Sequence, residues 1–415
     1  MKIRFYLSLI MCMMLANATA QTTFKVEVSN PLKVEQSDVP VVISLKKYGE
    51  NVKSAVVTCN GKEIATQIDD LDRDGSADEL CFMANLGKRE TKTYEVALSE
   101  TNEQKRYDAR AYAEMVIRSS AKHAKNQQQF YINEMTVAGD ANSYNYQHHH
   151  GVAFESDLIA MRIYYDKRQT LDLYGKFHKG LEMRETQFYP SKEQKANGFG
   201  DDILMVGNSF GLGALRGWAD GKPQMLDNVK WRTQRVIASG PLRAIVEVED
   251  RQWRVTPEAK PVNMTLRYTL YAGHRDCDVD VMFSRNVDDL SFSTGIVNVK
   301  GSTEYSDKEG LRGCWGTDWP AGDTINYKRE TVGLGIYIPK QFIKQELAAD
   351  KENYAYVIGT QSASQTIGNS NNRLHYSIVY CSDNEEFGFH SAKDWFNFLK
   401  DWKKRQEQKV VVTIK

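Results

Sequence analysis

Hydrophobic and polar positions alternate in short runs along most of this chain. Phe24, Val26 and Val28 are spaced by Lys25 and Glu27, and this period of two marks a half-buried strand. The stretches 41–45, 55–58 and 93–98 read as strands with looser alternation, separated by Gly, Asn and Asp turns. Asn60 and Gly61, set between Val57 and Ile64, are a two-residue hairpin signal. Residues 21–105 therefore predict a small immunoglobulin-like β-sandwich. Polar stretches at 100–110 and 121–129 are candidate linkers.

Beyond residue 112 the strand runs lengthen, at 242–248, 264–271 and 279–283. Helix signals are few. Residues 191–196 suit a short turn. Ser391 and Asp394 form a capping-box start to an amphipathic helix whose Trp395, Leu399 and Trp402 fall on one core-facing stripe. Val410 to Val412 supply a last strand. The prediction is an all-β protein, in which a large curved β-sandwich over 106–415 follows the first one. No internal repeat points to a propeller or solenoid.

The opening of the chain changes the expected location. Lys2 and Arg4 precede an apolar stretch at 5–15, and Ala18, Thr19 and Ala20 form a small-residue cleavage site. A signal peptide over 1–20 is expected, giving a periplasmic or secreted protein that begins at Gln21 (a lipoprotein reading through Cys12 is weaker). No later apolar run has the length of a membrane span. The 54 basic and 54 acidic residues balance, and losing Lys2 and Arg4 leaves a net charge of −2. With no basic block, nucleic acid is not an expected partner. A content of 41% hydrophobic and 11% aromatic residues excludes a disordered chain. Cys59, Cys81, Cys277, Cys314 and Cys381 remain after cleavage, an odd number. A Cys59–Cys81 bridge is permitted, though buried thiols are the plainer reading.

Candidate chemistry is spread over several motifs. Asp70, Asp72 and Asp74 alternate and precede Gly75, and Asp78 holds the ninth position of a calcium loop. Cys81 occupies the twelfth, so the bidentate ligand of a structural Ca²⁺ is expected from Glu79 or from elsewhere; an empty acidic hairpin tip is the alternative. His148, His149 and His150 follow Tyr144 and Tyr146, offering imidazoles suited to proton transfer near neutral pH. Tyr174, Lys176, Asp201 and Asp202 are candidates to line a cleft, although a strand end and a turn explain them as well. Gly207, Gly211 and Gly213 lack the context of a dinucleotide fingerprint and suit tight turns better. Tyr268, Tyr271, His274 and Arg275 lie on a strand and the turn after it. Trp315, Asp318 and Trp319 are expected in a glycine-rich loop, suited either to stacking on sugars or to plugging the core. No nucleophile-elbow, Walker or kinase motif occurs, and no organic cofactor is expected.

Taken together, these motifs resemble the DUF4861 family of secreted bacterial proteins, whose members often occur among glycan-degrading enzymes. The resemblance rests on the Asp70–Gly75 loop, His149 to Glu155, Arg162 and Tyr164, Tyr174 to Lys176, Gly198 to Asp202, and Tyr271 to Arg275. It spans nearly the whole mature chain, with Arg73 where the family carries Gly. It implies an envelope protein of glycan metabolism with a galactose-mutarotase-like β-supersandwich. The expected activity is a lyase or dehydratase acting by β-elimination on uronic-acid oligosaccharides. His149 or His150 would serve as base, Tyr174 or Tyr268 as acid, and Arg275 or Lys176 at the carboxylate, with His274 nearby. A non-catalytic glycan-binding protein using Trp315 and Trp319 is the alternative. A glycoside hydrolase pairing Glu155 with Asp201 or Asp202 is another.

Overall fold

The computed structural model describes residues 22–119, 127–322, 324–325, 327–360 and 372–415. The expected signal peptide and its cleavage site lie outside them, as does most of the second candidate linker. The protein is all-β, as the alternation predicts, and every strand pairing within its sheets is antiparallel.

The first sandwich packs a five-stranded sheet on a three-stranded one. Its core is Val26, Val28, Val41, Ile43, Val57, Leu80, Phe82 and Val96, the inward positions of the alternating runs. The hairpin forms as read, with Asn60 at φ 51° and Gly61 at φ 74°. Cys81 stays a free thiol, as does Cys59. Leu80 and Phe82 point into the sandwich, so Cys81 points out of it, away from the core.

The last strand departs from the expected division of the chain. Val411–Ile414 leaves the large module and pairs with Thr22–Ser29 at the edge of the first sandwich.

The large module is built on a nine-stranded sheet. Its inner face (Val246, Leu266, Val279, Tyr376 and their neighbours) shares one core with two five-stranded sheets. Gly151–Ser156, Ala160–Tyr164 and Leu171–Gly175 are buried at every position, because they are covered on both faces. On the outer face of the large sheet lies the expected helix, Ala392–Glu407. Ser391 caps it by accepting from the Asp394 amide at 3.1 Å, and Trp395, Leu399 and Trp402 are buried against the sheet. No helix among the described residues is long and apolar enough to cross a membrane.

The two modules meet through polar contacts that are half-buried at Arg110 and buried at Arg243. Arg110 bridges Asp38 of the first sandwich and Asp157 of the second at 2.8 Å each. Arg243 reaches Asp69 at 2.6 Å and Glu79 at 3.0 Å.

Candidate functional site

The outer face of the five-stranded sheet containing Gly151–Ser156 carries a dense polar cluster. Alternation turns Val152, Phe154, Met161, Ile163 and Leu173 into the core. The opposite positions, Arg162, Tyr164 and Asp172, then face a capping segment at 182–189. Arg162 is the centre of this cluster. It contacts Asp172 at 2.6 Å, Asp202 at 3.4 Å and the Tyr189 hydroxyl at 2.9 Å. Its guanidinium lies 4.1 Å from the centre of the Phe188 ring. Tyr164 donates to Asp172 at 2.6 Å. The cap is strained where it meets Arg162: Gln187 and Phe188 take left-handed conformations at φ 47° and 67°.

His150 borders this cluster, also left-handed at φ 60°. Its ring stacks on Tyr144 at 3.9 Å and meets Tyr164 and Tyr189 edge-on. Its Nδ1 lies 2.7 Å from the Tyr144 carbonyl oxygen, which can only accept. Nδ1 therefore carries the proton, and Nε2 presents a lone pair with no hydrogen-bond partner among the described residues. Burial lowers the His150 pKa to about 4, only partly offset by the Tyr144 carbonyl. The ring is thus neutral at neutral pH. Arg118, an exposed cation with no ion pair among the described residues, is near enough to add to that lowering.

Carboxylates flank the other side. Burial and the like charge of Asp172 push Asp202 well above the usual carboxylate range, although Arg162 pulls the other way. Asp201 pairs with Lys195, whose ammonium lies 5.2 Å from the Tyr327 ring centre. Burial raises Glu330 to about 7; the Asn384 amide opposes this, and Asp201 adds to it. Glu330, Asp318 and Trp319 help line a cavity of about 170 Å³ next to Leu204.

Of the expected site residues, His149, His150, Asp201, Asp202 and Trp319 lie in or beside this region. His149 is fully buried and bonds Glu114 at 2.8 Å, so it supports the cluster from below. The other expected residues are directed elsewhere. Tyr174 is buried with its hydroxyl on Glu182 at 2.8 Å. Lys176 and Glu155 neutralise one another at 2.6 Å with no exposure, so neither can meet substrate. Tyr268 is enclosed in the core, because its strand turns that face inward. His274 lies at the module interface, between Asp276 at 2.9 Å and the Asp38 carbonyl at 2.7 Å. Arg275 is buried on Glu385 at 2.9 Å. Trp315 lies on a strand, Leu311–Asp318, rather than in a loop, and packs against the core under the C-terminal helix. Asp172, Tyr189, Tyr327, Glu330 and Arg118 were not singled out by sequence. Their importance arises from strands and loops that adjoin only in the fold.

In the acidic loop, ligand oxygens of Asp70, Asp72 and Asp78 lie within 4.8 Å of one another. This all-oxygen set fits a hard cation such as Ca²⁺. Asp74 instead accepts from the Ser76 amide at 2.8 Å, and Glu79 pairs with Arg243, so the bidentate role expected of Glu79 is not available to it. Arg73 sits at φ 64°, a conformation in which glycine is more usual.

Two solved structures from Enterococcus faecalis overlay on the chain. One is a protein in glycosyl hydrolase family 38, with TM-score 0.49 and 9% identity; the other is an alpha-mannosidase, with TM-score 0.48 and 10% identity. Each covers 95% of this chain, which spans about half of theirs, 47% and 46%. No curated protein matches the sequence. The family model of a domain of unknown function, DUF4861, matches residues 28–412, and the chain belongs to that family.

Proposed function

We propose that this protein is a carbohydrate-active enzyme of the cell envelope. In this reading it is a lyase or dehydratase that opens uronic-acid oligosaccharides by β-elimination. The observation that carries the reading is His150: a neutral imidazole with a fixed tautomer, held among tyrosine rings, whose Nε2, like the nearby Arg118 guanidinium, has no partner among the described residues. In such a reaction Nε2 takes the C5 proton, and Arg118 offsets the charge that spreads onto the uronate carboxylate. The C4–O bond then breaks as the C4–C5 double bond forms. The departing oxygen receives its proton from a tyrosine of the cage, Tyr144 or Tyr189. Asp70, Asp72 and Asp78 would hold a structural Ca²⁺ away from this chemistry. Any location in the periplasm or outside the cell rests on the expected leader.

Glu330 favours a second reading. A carboxyl raised to about 7 next to Asp201 suits the acid of a glycoside hydrolase. One experiment separates the two. The mature protein, His150→Ala and Glu330→Gln are incubated with uronic-acid oligosaccharides, and ultraviolet absorbance of an unsaturated uronate is followed. Elimination predicts a rising signal that falls at least about 100-fold in His150→Ala. New reducing ends without absorbance, lost in Glu330→Gln, would replace elimination with hydrolysis. Binding without any product would leave a glycan-binding protein.

A further inference from the structure

Six arginines are buried among the described residues, and five of them face a carboxylate. Arg162 pairs with Asp172, Arg232 with Asp250, Arg243 with Asp69, Arg275 with Glu385 and Arg312 with Glu304, all within 3.0 Å. Arg216 departs from this pattern. It is 1% exposed, and its bonds go only to neutral oxygens: the Leu215 carbonyl at 3.0 Å, the Thr170 hydroxyl at 3.1 Å and the Ser209 carbonyl at 3.4 Å. Those bonds use three of five N–H donors, and Asp166, the carboxylate whose charge does reach the group, forms its ion pair with Arg168 instead. Burial accordingly lowers the Arg216 pKa to about 10.

Further donors lie close by. The Thr170 hydroxyl accepts from Arg216, and its own proton has no acceptor among the described residues. Tyr268, within electrostatic reach of the guanidinium, has a fully buried hydroxyl with no partner among them. The glycine-rich loop at 207–213 closes over the group. At Gly211, φ 53°, a Cβ would lie 2.4 Å from the Thr170 methyl and 2.6 Å from the Leu171 carbonyl. The tight wrapping therefore requires glycine there, which gives this run a structural reason unrelated to a dinucleotide.

We propose that Arg216 and Thr170 bind a halide-sized monovalent anion, chloride in ordinary salt, as a structural ligand of the large sandwich. So enclosed a guanidinium suits a single-atom anion better than a carboxylate-bearing molecule. The first test uses crystals of the full chain grown in sodium bromide. An anomalous bromine peak at hydrogen-bond distance from Arg216 is expected; surface bromide peaks with water or nothing at Arg216 would overturn the proposal. The second is melting in a chloride titration, with gluconate holding ionic strength constant. Wild type should show a saturable rise of about 2 °C or more, absent in Arg216→Gln. Equal melting in both salts would overturn it, and this wild-type comparison decides even where the variant does not fold.

Discussion

His150 and His274 carry the same imidazole, yet the protein moves their proton affinities in opposite directions. Burial takes His150 down to about 4, whereas at His274 burial is outweighed by the Asp276 carboxylate and the value rises to about 9. The signs of their contributions to stability differ accordingly. Stability from a neutral His150 is complete above its unfolded value of 6.5 and is lost as pH falls toward about 4. That from a protonated His274 is complete below 6.5 and is lost as pH rises through about 9, an effect of order 3 kcal/mol. His274→Gln should therefore flatten the alkaline side of the stability–pH curve, measured by urea unfolding between pH 6.5 and 9. Proton NMR should place the His150 titration near 4, and a midpoint near 6.5 would remove the basis for its neutral, buried state.

At the scale of elements, local signals were legible where one residue type had a single use. Asn60 and Gly61 mark their hairpin through the positive φ it demands, and Ser391 with a tryptophan stripe marks its helix. The capping segment at 182–189 was not legible. Its turn is made by Gln187 and Phe188, residues that carry no sequence signal for left-handed backbone. Gly333 lies inside the strand Glu330–Tyr337, where a Cβ would sit 2.7 Å from the Trp395 ring. Gly333→Ala should cost about 1–3 kcal/mol in urea denaturation. Gly322→Ala, with nothing within 4 Å, is the control that should leave stability unchanged. Tyr174 reads as a site residue for a related reason, whereas Tyr268 shares the alternating apolar face of Met264, Leu266 and Leu270, which marks it as inward. Strands covered on both faces hide which face is which, and alternation alone cannot say where a tyrosine hydroxyl ends.

At the scale of the whole molecule, the acidic loop is more than a decoration of the first sandwich. Arg73 reaches Glu134 of the large module at 2.6 Å, and the Leu71 carbonyl accepts from Arg267 at 3.2 Å. Neutralising Asp70, Asp72 and Asp78 with a cation would stiffen a loop that touches both modules. Added Ca²⁺ should raise the melting temperature, EDTA should reverse the rise, and Asp72→Asn should abolish it. Calorimetry showing neither heat nor a shift would leave the loop an acidic hairpin tip.

The pairing of Val411–Ile414 with Thr22–Ser29 sets the order in which the chain can be completed. Lys415 and Glu27 are hydrogen-bonded across 388 positions of sequence. At 5–20 residues per second, translation takes roughly 20–80 s to supply the partner strand. Through that interval the nascent first sandwich holds an open edge, the kind of surface on which chains aggregate. A holdase that protects this edge during synthesis or export should therefore raise the yield of folded protein. A circular permutant that places the last strand directly before the first should need it less.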